Sequence, residues 1–244
     1  MTMIATQLQA VRSRIEAACL AAGRAPGRVQ LLAVSKTFGP EAVTQAIAAG
    51  QTAFGENYIA EAVEKMAVVR ALLGTLPPDS PIEWHCIGPI QSNKTRLVAE
   101  HFAWAHSVDR LKIAQRLSEQ RPAHLPPLNV CLQVNVDGGA NKSGVAPQEV
   151  LALAQAVAAL PHLTLRGLMC IPEPAPDFVA ACALFQRAKD IFDALNRAGL
   201  LLDTLSMGMS ADLEAAIHAG STLVRVGSAI FGDRHHASPP AQSR

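Results

Sequence analysis

The sequence predicts an α/β fold, a single-domain (β/α)8 barrel of the TIM type preceded by an extra N-terminal helix. Three observations carry this expectation. The chain has 244 residues, close to the ~250 typical of such a barrel. Eight short β-rich runs alternate with Ala/Leu-rich stretches of helical period, the pattern of βαβ units around a parallel sheet. No G-x-G-x-x-G or G-x-x-x-x-G-K-[ST] follows a strand, so the phosphate-cradling loops usual in the competing doubly wound sheet are missing.

The elements follow in order. The opening stretch, MTMIATQLQAVRSRIEAACLAAG, places Ile4, Leu8, Val11 and Ile15 at helical spacing. Arg12, Arg14 and Glu16 interrupt it, which makes it an amphipathic helix and not a signal peptide. Candidate strands are 29–35, 52–55, 82–87, 103–107, 128–136, 163–170, 202–206 and 222–227. Between them, helix punctuation is legible. Pro40 opens a helix that Gly50 closes, and the run 56–73 ends at Gly74. Asp109 is a candidate cap for 110–119, Pro147 starts a run to Leu160, and 177–198 ends at Gly199. Ser210 is a candidate cap for 211–219, which stops at Gly220. The barrel with its first helix is expected to occupy 1–233. Residues 234–244, RHHASPPAQSR, read as a polar, disordered tail whose His235 and His236 are solvated.

Composition excludes several function classes. With 21 basic and 20 acidic side chains the formal charge is +1, which offers no electrostatic footprint for nucleic acid or an anionic membrane. Half of the residues are hydrophobic and 17% are charged, against ~25% charged in an average domain, so a substantial core is expected. Cys19, Cys86, Cys131, Cys170 and Cys182 are odd in number and show no C-x-x-C spacing. They read as reduced, buried thiols, with no disulfide and no metal site. No apolar run reaches the ~18 residues of a membrane span, and a soluble, cytoplasmic protein is expected.

Chemistry in such barrels sits at the C-terminal ends of the strands. The first strand ends in Lys36, directly after the apolar run LLAVS. A lysine leaving a packed strand is partly desolvated, which raises its fraction of free amine and suits Schiff-base chemistry. The alternative is a lysine that snorkels to solvent. Phosphate sites of these barrels are often built from the loops after strands seven and eight. Ser210 follows strand seven, and Gly227 and Ser228 follow strand eight. Singly they are a cap and a turn; together they sketch a phosphate cup. Arg225 lies two residues before Gly227 and shares its strand face. Turned inward, it is a buried cation needing an acceptor: a ligand ring nitrogen, or a structural partner among Asp203, Glu56 and Glu83.

The strings LLAVSKT, FGENY, WHCIGPIQSNK, NKSG, RGLM, SMGMSADLEAAI and VRVGSAIFG, in this order, resemble the pyridoxal phosphate homeostasis protein family. That family is a single-domain relative of the alanine racemase N-terminal barrel, and the likeness runs from about residue 8 to 234. The resemblance implies pyridoxal 5′-phosphate held as a Schiff base on Lys36. It further implies phosphate binding by Ser210 and by the pair Gly227–Ser228, with Arg225 facing the pyridine nitrogen. Asn57 of FGENY and His85 of WHCIG are implied as further residues of the mouth. Phe38 and Gly39 stand where many relatives carry a second basic residue, and FGDRHH lacks the tyrosine often found there.

A pyridine nitrogen facing a guanidinium stays unprotonated, because arginine remains charged, and an unprotonated ring is a poorer electron sink. Racemases that share the barrel add a tyrosine base together with a separate β-domain. Here the chain holds one tyrosine, Tyr58, placed at a helix start and expected to pack there. After the barrel only 11 residues remain (244 − 233), so no second domain is expected. The expectation is a monomeric cofactor carrier acting in vitamin B6 homeostasis, with cofactor-free forms of pyridoxal-phosphate enzymes as recipients. The alternatives are a weak amino-acid racemase using Lys36 and another base, or an interaction module for which the cofactor is a signal.

Overall fold

The computed structural model describes residues 2–74, 82–138 and 143–232. The tail 234–244 with His235 and His236, and Asn141 and Lys142 of the NKSG string, lie outside these residues. Eight parallel strands close into a barrel in sequence order. They are β1 (Gln30–Val34), β2 (Ala53–Glu56), β3 (Glu83–Cys86), β4 (Trp104–Val108), β5 (Leu128–Gln133), β6 (Leu163–Met169), β7 (Thr204–Ser206) and β8 (Leu223–Val226). Closure pairs β8 with β1, Leu223 opposite Gln30 through Val226 opposite Ala33. The expected (β/α)8 class is the observed one.

The helices are α1 (Met3–Ala21), α2 (Pro40–Ala48), α3 (Ile59–Leu73), α4 (Thr95–His101), α5 (Leu111–Gln120), α6 (Val150–Ala158), α7 (Phe178–Arg197), α8 (Leu213–His218) and α9 (Ser228–Phe231). Pro40 stands in the first turn of α2, where a missing N–H costs nothing. Asp177 caps α7 by accepting from the Ala180 amide at 2.8 Å. In α1 the residues at helical spacing, Ile4, Leu8, Val11 and Ile15, are the buried ones. That face packs on α2, α8 and α9, outside the β8–β1 seam.

Several boundaries differ from expectation. Ser210 does not cap the helix after β7. That helix starts at Leu213, and Asp212 occupies the cap position, its carboxylate accepting from the Met209 amide at 2.6 Å. Asp109 caps nothing either; Arg110 stands at the cap of α5 and Asp109 pairs with it at 2.7 Å. Glu56 remains in β2, so α3 begins only at Ile59. The run from Pro147 starts as a 3₁₀ turn before α6. Strand β5 ends at Gln133, beyond which Val134 makes a single bridge to Val145. The sequence reading overlooked α4, which follows WHCIGPIQSNK without a side-chain cap to announce it.

The main core fills the layer between strands and helices. Inside the barrel, apolar packing divides into two small clusters, Leu32–Ala53–Leu223 and Trp104–Cys131–Met169. The buried residues His85, His106, Ser206 and Arg225 add polar groups to the interior, where barrels of this type usually place Val, Ile and Leu. None of the five cysteines is joined in a disulfide among the described residues, and four of them are buried. Burial pushes the thiols of Cys86 and Cys131 up to about 12, which makes them inert. Among the described residues no helix is long and apolar enough to cross a membrane.

Candidate functional site

Strand β1 delivers Lys36 into a tight turn at the barrel mouth, where the Phe38 amide donates to the Ser35 carbonyl at 3.1 Å. The base of this turn is fixed from behind. The Ser35 hydroxyl donates to Glu56 Oε1 at 2.7 Å, and Lys65 Nζ donates to the same oxygen at 2.8 Å and to the Ser35 carbonyl at 3.0 Å. Both charges of this pair are almost wholly buried. Burial raises the Glu56 pKa, against the opposing pull of Lys65.

Above the turn lies a cavity of about 380 Å³, within the ~300–1,000 Å³ of small-molecule sites. Lys36, Asn57, Ser210, Arg225, Gly227 and Ser228 all line it. His85 does not. It is fully buried inside the barrel, because β3 ends at Cys86 and the inward residue next along the chain, Ile87, takes the place at the mouth. Sequence reasoning also overlooked the apolar walls Val34, Ile87, Ile171 and Met209. Their one signal was a position at or just past a strand end.

The loop after β7 and the turn after β8 meet on one side of the cavity, with the Ser228 hydroxyl 3.3 Å from that of Ser210. Among the described residues the Ser210 and Ala211 amides have no acceptor. Two glycines make the close approach possible. Gly208 has φ +93°, and a Cβ there would stand 2.5 Å from that of Ala216. A Cβ on Gly227 would stand 3.0 Å from the Val34 carbonyl oxygen. From outside, Arg14 of α1 donates to the Ser210 carbonyl at 3.2 Å while pairing with Glu214 at 2.8 Å.

Arg225 reaches the cavity from β8. Its guanidinium donates to the Ser206 carbonyl and hydroxyl, each at 2.8 Å, and to the Cys170 carbonyl at 3.0 Å. None of the carboxylates considered from sequence is its partner. Asp203 pairs with Arg166, Glu56 with Lys65, and Glu83 faces His85. Burial lowers the Arg225 pKa; an arginine still stays charged. The cavity is therefore lined by an amine, two hydroxyls with adjacent amides, and a buried cation held by neutral acceptors. Among the described residues the Asn57 side-chain oxygen is buried there without a partner.

A closed parallel barrel with its polar groups gathered at the C-terminal mouth defines a class. The family model described as "Alanine racemase, N-terminal domain" matches residues 6–235. A protein of Pseudomonas aeruginosa named "Pyridoxal phosphate homeostasis protein" is 59% identical over 239 residues, covering 98% of this chain and 99% of that one. The Escherichia coli K12 protein of the same name is 51% identical, covering 97% and 99%. The chain belongs to the pyridoxal phosphate homeostasis protein family. Among solved structures, PipY of Synechococcus elongatus, described as having PLP bound, is 36% identical with a TM-score of 0.80, covering 94% of this chain and 100% of that one. An alanine racemase of Clostridium difficile at 16% identity and TM-score 0.70 shares the fold, and this chain spans 57% of it.

Proposed function

We propose that this protein holds pyridoxal 5′-phosphate as a Schiff base on Lys36 and serves intracellular vitamin B6 homeostasis as a carrier, without efficient catalysis of its own. One observation carries the reading: the Lys36 amine, the Ser210–Ser228 hydroxyl pair and the buried Arg225 converge on one cavity. The relatives' name and the ligand in PipY support the choice of cofactor. When bound, pyridoxal phosphate supplies an aldehyde that condenses reversibly with an amine, releasing water. The fit is chemical as well as spatial. Ser210, Ser228 and the unengaged amides of Ser210 and Ala211 supply donors for a phosphate dianion. Arg225 supplies a permanent donor for a ring nitrogen and cannot itself protonate that nitrogen.

The same residues disfavour racemisation. Arg225 keeps the ring a poor electron sink. Tyr58, the one tyrosine, is 55% exposed and does not line the cavity. Lys36 therefore has no tyrosine base opposite it. Cofactor-free pyridoxal-phosphate enzymes are the proposed recipients, and the cytoplasm the proposed compartment, with the carrier acting as a monomer.

Borohydride treatment of protein loaded with pyridoxal phosphate, followed by peptide mapping, tests the assignment. The cofactor is expected on Lys36, and Lys36→Ala is expected to lose both the adduct and the visible absorbance. A retained adduct on another lysine overturns it. Mirror-image product from a single-enantiomer amino acid at ~1 s⁻¹ or more, an ordinary enzyme rate, overturns the carrier reading.

A further inference from the structure

The polar interior of the barrel is a connected chain. Beneath the mouth, Arg225 donates to Ser206 Oγ at 2.8 Å. Ser206 Oγ lies 3.0 Å from His106 Nδ1, and His106 Nε2 lies 2.9 Å from His85 Nδ1. His85 Nε2 faces Glu83 Oε2 at 3.8 Å, longer than a hydrogen bond. Glu83 is the first residue of β3 and its side chain is 43% exposed, so the chain runs from the cofactor mouth to the opposite end of the barrel. The imidazoles are held in place by packing. The His85 ring stacks on Trp104 at 5.2 Å with 6° between planes. Arg166, fixed by Asp203 and Asn129, covers Trp104 from 4.7 Å.

We propose that Ser206, His106 and His85 form a one-way hydrogen-bond relay, both imidazoles carrying their proton on Nε2, that positions Arg225 in the mouth and ties it to Glu83 at the far end. The direction follows from the ends. Arginine can only donate, so Ser206 Oγ accepts from Arg225. Among the described residues the hydroxyl's other contact is His106 Nδ1, so its proton goes there. His106 then carries its proton on Nε2 and donates to His85 Nδ1, leaving the His85 Nε2–H turned toward the Glu83 carboxylate. The reverse order fails at both ends. It would strand the Ser206 proton and aim the His85 lone pair at a carboxylate. In the proposed order every dipole points the same way, from buried cation to exposed anion, so the neutral groups help solvate a guanidinium that forms no ion pair among the described residues, Asp212 acting on it only from a distance. Both imidazoles are wholly buried, and burial lowers their pKa values, as a neutral relay requires.

The tautomers and the coupling stand on this protein alone; their effect on a bound cofactor rests on the carrier reading. Nitrogen-15 spectra of the histidine and arginine side chains, without ligand at neutral pH, test the first part. Protonated Nε2 and bare Nδ1 are expected on His85 and His106, with Glu83→Gln shifting the His106 and Arg225 signals. A His106 protonated on Nδ1 or on both nitrogens, or an Arg225 signal unmoved by Glu83→Gln, overturns the relay. The second part uses protein loaded with pyridoxal phosphate and shown by borohydride mapping to carry it on Lys36. His106→Leu is expected to shift the visible absorbance and speed cofactor loss about tenfold, the scale of removing a hydrogen-bond partner next to a buried charge. His106→Asn, which keeps an acceptor at the Nδ1 position, is expected to restore both. Loaded variants with wild-type absorbance and release overturn the positioning role. If no Lys36 adduct forms at all, the carrier reading falls while the tautomer result still decides the relay.

Discussion

Ser210 shows how a neighbour releases a hydroxyl from helix capping. Because Asp212 takes the cap position of α8, the Ser210 hydroxyl faces Ser228 across the mouth, and its carbonyl is held by Arg14. Ser210→Ala is therefore expected to leave the fold intact and weaken retention of pyridoxal phosphate by ~1–2 kcal/mol, the worth of one charge-assisted hydrogen bond. Equilibrium dialysis against the free cofactor measures it. That Lys36, Ser210, Arg225, Gly227 and Ser228 would meet at one mouth was legible in the sequence, since strand ends can be counted from the pattern, and all five line the cavity. The sequence carried His85 less well. A motif string marks that His85 is special without telling which way the pleat turns it, and β3 leaves it one step too deep to meet a ligand. His106 and Ser206 left no local signal, because their partnership joins residues 100 positions apart in sequence.

At the scale of elements, α1 acts as a brace. Arg12 donates to the Ala49 and Gly50 carbonyls at the end of α2 and Arg14 to the loop that carries Ser210, while Arg24, just past the end of α1, donates to Ile217 at the end of α8. The Arg14–Glu214 pair is about 40% exposed on each side, so Arg14→Ala is expected to cost at most ~1 kcal/mol of stability. Its larger effect is expected on the loop. Amide hydrogen exchange in 209–212 should accelerate while the strands stay protected, and unchanged exchange there would show that α1 braces only the helices. Strands and long helices were legible because apolar periodicity is a local property. The short ones were less so. α4 holds 7 residues with no side-chain cap, too few for a period to repeat, and was overlooked; α8 holds 6 and was expected two residues early, because Asp212 rather than Ser210 stands at its cap.

The whole molecule should respond to pH through its interior imidazoles. His85 and His106 are held neutral, their pKa values lowered by burial, whereas in the unfolded chain they titrate near 6.5. The unfolded state then binds the extra protons, so this stability is present above about pH 6.5 and is lost as pH falls below it. Lowered Glu83 and Asp203 act in the same direction at more acid pH, while raised Glu56 opposes them. Among charged neighbours, Arg225 disfavours a charge on His106, and Glu83 favours one on His85. The midpoint of thermal unfolding is expected to drop between pH 7.5 and 5.5, and to drop less in His106→Asn; equal slopes would place the sensitivity elsewhere. One consequence concerns the β8–β1 seam. Lys36 follows the first strand, Arg225 lies on the last and Gly227 and Ser228 follow it, yet these strands lie side by side. A ligand held by both is a clasp across the ring's only join between distant ends of the chain. It can fasten only after the eighth strand has come home, so occupancy reports that assembly is finished, and each molecule bound makes reopening rarer.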